Sequence, residues 1–209
     1  MDYFSSMFNR FAAWWTAGDF CHCELILETT PHNIMLVVKE IYQGAQRGEY
    51  APEDCRRIIG QIEMAFFDTG FRKKAQSSET MSLSFSQILG QQMSVRVLTE
   101  TAHDSWFKIP TNEDENVNII HYDNVSEDQQ IQTLKFAIEQ LGKDYDTTGA
   151  LCSWLPFSDT RQSSYETYFC SEFVVTSMQR IGFMSDLSAK HTTPNSLYTY
   201  LKKELRHTL

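Results

Sequence analysis

Apolar residues recur along this chain with two different periods. Phe4, Phe8, Phe11 and Trp15 follow one another at spacings of four, three and four, which stacks them on one face and predicts an amphipathic N-terminal helix over residues 1–19. Arg10 is its only basic residue, and the first expectation is that the helix packs on its own domain, with a membrane-surface or partner-docking helix as the alternative. The stretch Phe20 to Leu27 (FCHCELIL) is rich in residues that suit a pleated surface, and Asn33 to Tyr42 (NIMLVVKEIY) resembles it after a Thr-Thr-Pro turn signal. Together they predict a hairpin-like strand pair. From Pro52 to Phe67, Cys55, Ile58, Ile59, Ile62 and Phe66 fall at helical spacing, with proline suited to the first turn and Gly70 soon after the end. Ser82 to Leu98 alternates apolar and polar residues around Gly90, which predicts two strands or one bent strand.

Farther on, Asn112 to Asn116 (NEDEN) offers nothing to bury and predicts a solvent-facing loop before a short strand at Val117 to Tyr122. Ser126 opens a helix. Gln129 stands three residues later as in a capping box, Ile131, Leu134, Ile138 and Leu141 form the apolar stripe, and Gly142 stops it. A further helix is predicted from Cys170 to Ile181, with Phe173, Val174, Ser177, Met178 and Ile181 on one side and Gly182 as terminator. The last helix begins at Thr193-Pro194-Asn195, a cap followed by proline, and turns Leu197, Tyr198 and Leu201 inward. No repeat or low-complexity tract interrupts this order, and 9 glycines and 5 prolines in 209 residues are too few for a long linker.

Composition narrows the class. A chain that is 42% apolar, with 14 Phe, 9 Tyr and 4 Trp, has ample material for a core. Its formal net charge of −9 repels phosphate backbones, so nucleic acid is not an expected partner. No stretch approaches the roughly 20 apolar residues of a membrane span, and the N-terminus has no basic region leading into an apolar segment. The expectation is a cytoplasmic protein without a transmembrane segment. Five cysteines form an odd, thinly spread set, which predicts reduced thiols.

One of those thiols stands where chemistry is favoured. Cys170 is the first residue of a predicted helix, where free backbone N–H groups and the helix dipole favour thiolate over thiol. His22 lies in the first predicted strand, and alternation turns it to the same face as Glu24 and away from Cys21 and Cys23. That geometry argues against a zinc site at Cys21-His22-Cys23, and no Cys-x-x-Cys pair elsewhere completes four ligands; neither metal nor cofactor is expected. A thiol and an imidazole together are what thiol acyl chemistry requires. Sulfur attacks a carbonyl carbon, the ring moves protons, a third polar group fixes the ring, and helix-start amides hold the oxyanion.

Four blocks carry a resemblance: His22-Cys23-Glu24-Leu25, Gly142-Lys143-Asp144-Tyr145-Asp146 with Gly149, Tyr168-Phe169-Cys170-Ser171-Glu172-Phe173-Val174, and Thr193-Pro194-Asn195-Ser196-Leu197-Tyr198. In this order they resemble the circularly permuted branch of the NlpC-type papain-like hydrolases, which includes lecithin:retinol acyltransferase relatives and proteins of large DNA viruses. In that branch the histidine strand comes before the cysteine helix, as His22 does before Cys170. The resemblance spans roughly Phe20 to Leu201. It implies Cys170 as nucleophile and His22 as base. The third member stays open: Glu24 is the simplest choice by its His-x-Glu spacing, while His32, Asn33, Lys39 and Glu40 are polar groups in the region after it. Tyr145 is implied to shape the substrate cleft.

The fold expected from these readings is α+β, a permuted papain-like domain over residues 20–209 in which a small, mostly antiparallel sheet packs on the Cys170 and Ser126 helices. Residues 44–79 match nothing in the family pattern and are expected as an insertion. The expected function is a cysteine hydrolase acting on an amide, ester or thioester bond of a peptide, acyl or lipid substrate. An alternative of a different class is a virion structural component, in the host cytoplasm or the virus particle, that keeps the fold for protein partners and needs no catalysis.

Overall fold

The computed structural model of the chain describes residues 20, 22–67, 80–86, 91–98, 118–122, 125–153 and 167–207. Among these residues are six α-helices and one three-stranded antiparallel sheet, an α+β fold divided between two compact units. The first unit draws its described residues from Leu25–Phe85 and Met93–Gly142, the second from Met1–Glu24, Ser86–Gln92 and Lys143–Leu209. The N-terminal helix expected over residues 1–19, the acidic run at 112–116, Gly90 and Cys21 lie outside the described residues.

In the first unit, β1 (Leu25–Thr29) is followed by α1 (Pro31–Gln46), α2 (Pro52–Phe67), β2 (Met81–Ser86), β3 (Ser94–Leu98) and α3 (Glu127–Gln140). The strand order is β1-β2-β3. Register places Leu25 opposite Phe85 and Leu27 opposite Leu83, so the apolar side chains of both strands share one face, while Ile26 and Glu28 pair with Ser84 and Ser82 on the other. The segment Asn33–Tyr42 is helix, not the expected second strand, and β1 takes β2 as its partner in place of that segment. The reason is visible in α1: Thr30 accepts a hydrogen bond from the Asn33 amide, Pro31 fills the first turn, and Ile34, Val37, Ile41 and Gly44 are buried at helical spacing. Thr-Thr-Pro is a helix start here, and a continuous helical stripe outweighs the β-preference of the individual residues.

The helix α2 begins and ends where its pattern predicts, with Cys55 and Ile58 buried. It packs on α1, β3 and α3, so the described part of the expected insertion is built into this unit's core. Arg57 on α2 reaches Asp54 at 2.8 Å and the Glu139 carbonyl at 3.4 Å, and Tyr50 donates to the Glu139 carboxylate at 2.5 Å. Of the two alternatives for Ser82 to Leu98, two strands or one bent strand, the structure has two, β2 and β3. No strand forms over the described residues 118–122, in contrast to the expectation for Val117–Tyr122. The reciprocal capping box of Ser126 and Gln129 opens α3, whose Leu134, Phe136, Ala137 and Ile138 are buried and which packs on β1.

The second unit contains α4 (Thr147–Cys152), α5 (Cys170–Gln179), a 3-10 turn at Ala189–His191 and α6 (Pro194–His207). The helix α5 is buried from Cys170 through Val175 and packs on the 3-10 turn and α6. No helix among the described residues is long and apolar enough to cross a membrane.

The end of α3 gives a test of the first unit's packing. Gly142 has φ +75°, donates its N–H to the Met93 carbonyl at 2.7 Å, and would place a Cβ 2.6 Å from Cγ of Arg57. Gly142→Ala therefore meets both left-handed strain and a clash, and is expected to lower the unfolding free energy by about 2 kcal/mol in urea denaturation.

Candidate active site

Cys170 is the first residue of α5 and only 4% exposed. The residue before it, Phe169, is the helix cap and provides no side-chain hydrogen bond, so the partial positive charge of the first amides acts on whatever lies at the Cys170 end. Glu172 in the same turn is buried, a placement the helix dipole favours for a carboxylate. Ser171 donates to the Thr192 carbonyl at 2.6 Å and ties the start of α5 to the chain entering α6. The Cys-Ser-Glu block thus divides its tasks between a sulfur presented at the helix end, an anchor, and a buried carboxyl in the first turn.

The segment carrying the histidine is held from the other side. Both backbone polar groups of Phe20 pair with the Asn195 side chain at 2.9 Å, and the Phe20 ring packs on Tyr198 with centroids 4.4 Å apart. Asn195 and Tyr198 lie on the first turn of α6, immediately after Thr193 and Pro194. That block fixes the chain two residues ahead of His22. A third tether comes from the Lys143–Asp146 segment: Tyr145 bridges to Tyr168 in parallel, the Asp146 amide donates to the Tyr168 carbonyl at 2.9 Å, and the Asp146 carboxylate caps α4 through the Gly149 amide at 2.8 Å. Tyr145 is thereby set beside the residue that leads into Cys170.

These three tethers bring Cys170, His22, Glu24 and Tyr145 together, all within the second unit. His22 Nε2 lies 3.3 Å from Glu24 Oε1 and 3.2 Å from Ser86 Oγ, and the ring and the Cys170 sulfur each influence the other's protonation. The ring and the carboxylate are partly exposed, at 29% and 25% of their side-chain surfaces. Burial alone would drive the ring toward its neutral form, but the hydrogen bonds with Cys170 and Glu24, and then their negative charges, outweigh it and raise His22 to about 9. The Tyr145 hydroxyl is pushed well above the ordinary phenol range by burial and by the charge of Cys170, to which it is also hydrogen-bonded. It therefore stays a donor.

Strand alternation fails for Cys23. The strand β1 begins only at Leu25, so residues 22–24 are not bound to a pleat, and Cys23 acts on the protonation of Cys170 as His22 does. The Cys23 thiol is correspondingly pushed up, and Cys170 is held well below the usual thiol range, first by the Cys23 hydrogen bond and then, against the cost of burial, by His22. The two shifts act in the same sense, each favouring the charged form: thiolate at Cys170 and imidazolium at His22. Among the described residues no group of three or more histidine, cysteine or acidic side chains has the arrangement to hold a metal ion.

Two members of this site escape sequence reasoning. Cys23 was set aside by an alternation that does not extend to it. Ser86 carries a signal in the alternation of β2, where Ser84 and Ser86 are buried polar residues in a strand otherwise filled by Leu83 and Phe85. His32, Asn33, Lys39 and Glu40, the other candidates for the third member, belong to α1 in the first unit. No family model matches the chain, and no curated protein or solved structure matches it either.

The Asn195 clamp is separable from the chemistry. Asn195→Ala removes both tethers on Phe20 without touching the sulfur or the ring. It is expected to raise the pH at which the ultraviolet thiolate absorbance of Cys170 appears, and to slow alkylation of Cys170 at neutral pH by roughly tenfold.

Proposed function

We propose that this protein is a cysteine hydrolase that cleaves an amide, ester or thioester bond, with Cys170 as nucleophile, His22 as the proton-transfer group and Glu24 holding the ring. The observation that carries this reading is a helix-start Cys170 and an imidazole 3.3 Å from the Glu24 carboxylate, each of which shifts the other toward its charged form. A scaffold has no need of that arrangement, since burying a charge without use costs stability.

In this scheme the Cys170 thiolate attacks the substrate carbonyl carbon, and the oxygen that becomes negative accepts hydrogen bonds from amides at the start of α5. The His22 imidazolium gives its proton to the leaving amine, alcohol or thiol, which departs and leaves a thioester on Cys170. The neutral ring then takes a proton from water as that water attacks the thioester, and collapse releases the acid and restores the thiolate. Glu24 keeps the ring oriented and favours its charged form in the first half of the cycle. Tyr145, a donor to the resting thiolate, marks the wall where the substrate acyl group enters.

The order of the parts also favours kinship with the permuted NlpC-type papain-like hydrolases: a histidine segment early in the chain, a Tyr-Asp block, and then a cysteine helix. A virus-encoded member of that branch, acting on a peptide, acyl or lipid substrate, is the most specific form of the proposal.

The test is covalent labelling of the full chain with an electrophilic acyl probe. Cys170 should react at least roughly a hundredfold faster than the other cysteines, His22→Ala should slow it by about the same factor, and Glu24→Gln by about tenfold. Equal labelling of all accessible cysteines would overturn the proposal and leave a scaffold role for a viral assembly. With a cleavable substrate, turnover is expected to fall as pH rises through about 9, because His22 then loses the proton that the leaving group needs. The acid limb should lie well below the ordinary thiol range, where the lowered Cys170 is finally protonated.

A further inference from the structure

The hydrolytic scheme gives His22 one support, Glu24, yet two oxygens lie on the same ring nitrogen. Ser86 Oγ is 3.2 Å and Glu24 Oε1 3.3 Å from Nε2, and all three residues belong to the second unit. A linear N–H···O bond measures about 2.9 Å, and an imidazole nitrogen carries at most one hydrogen. Two oxygens at nearly equal and slightly long distances are what one hydrogen shared between two acceptors gives. An ionised carboxylate can only accept, so Glu24 opposes a bare Nε2, and Ser86 accepts beside it through a lone pair.

The two oxygens differ in how firmly they are held. Glu24 has a long side chain that is 25% exposed and stands ahead of β1. Ser86 has a short one, closes β2 and is only 2% exposed. It follows Phe85, the partner of Leu25, and Leu25 follows Glu24, so the register of β1 with β2 leads both oxygens out at one end of the strand pair. A hydroxyl buried to this degree costs stability unless it is bonded, and the ring nitrogen gives it a bond.

We infer that Ser86 is a positioning residue for the proposed reaction: it shares the Nε2 hydrogen of His22 with Glu24 and fixes the plane of the ring. The inference rests on the proposed function for the reaction it serves, and goes beyond it in naming the group that sets the direction of the ring. A single acceptor leaves an imidazole able to swing about the N–H···O line. A second acceptor off that line, carried by a strand, stops the swing and leaves Nδ1 to exchange protons with the reacting atoms. Glu24 supplies charge and Ser86 supplies direction. The serine itself neither takes a proton nor bonds to the substrate.

The experiment follows the His22 ring by proton–nitrogen NMR of the full chain carrying isotope-labelled histidine, with its signals identified by their loss in His22→Ala. In Ser86→Ala the Nε2 proton should exchange with solvent roughly tenfold faster, and the ring should hold its proton roughly tenfold more weakly, because the charged ring has lost an acceptor. Cys170 and Glu24, the other groups whose charges act on the ring, are left in place by this substitution. Acyl-probe labelling of Cys170 should slow by roughly tenfold. Ser86→Thr keeps the hydroxyl and should restore all three readings; should its extra methyl not fit the buried position, Ser86→Ala against the natural chain decides alone. A serine that merely packs β2 would lower the thermal midpoint when replaced and leave the exchange and titration of His22 as they are in the natural chain, and that result would overturn the inference. The NMR readings need no probe or substrate. Altered His22 signals without selective labelling of Cys170 would therefore sink the hydrolase reading while the hold of Ser86 on the ring stands, and selective labelling with unaltered signals would do the reverse.

Discussion

The candidate site turns on favouring two opposite charges together in a place that disfavours each of them alone. A nearly buried thiolate loses hydration, and a half-buried imidazolium does too; unpaired, each would neutralise by shifting its protonation. Here the protonation of the sulfur is coupled to His22, Tyr145 and Cys23, while the ring has Glu24 and Ser86 on its Nε2. Local hydrogen bonding takes the place of solvent. The same donors that stabilise the thiolate also temper it, since a sulfur that is easier to ionise is intrinsically a weaker nucleophile.

The supports of that pair come from distant parts of the chain and act through backbone as much as through side chains. Asn195 reads the backbone of Phe20 as if it were the next strand of a sheet, satisfying one N–H and one C=O at once. Ser171 pins α5 to Thr192, and Asp146 pins the Tyr145 segment to Tyr168 while capping α4. None of these residues touches the reacting atoms through a charge, yet each removes a freedom that would let sulfur and ring drift apart. The proposed reaction depends on precision of this kind.

Much of this was legible in the sequence wherever a local rule decides the outcome. The helices at Pro52–Phe67 and Glu127–Gln140 follow from a proline start, a capping box and a 3.6-residue stripe. Cys170 was recognisable because a cysteine at a helix start has a physical reason to ionise, and His22 with Glu24 because of their spacing. The segment Asn33–Tyr42 was misread since its β-branched residues suit a strand individually, although Ile34, Val37 and Ile41 already carry the helical period and Thr30-Pro31 the start signal. The roles of Cys23, Ser86, Ser171 and Asn195 depend on which segments meet after folding. No window of sequence contains that information.

The clamp between Phe20 and Asn195 joins residues 175 positions apart, and it sits at the root of the histidine segment. On the ribosome the backbone of Phe20 is made long before the side chain that clamps it. The segment that carries His22 therefore waits, without this anchor, until the start of α6 has been made, and a chain cut short ahead of α6 never gains it.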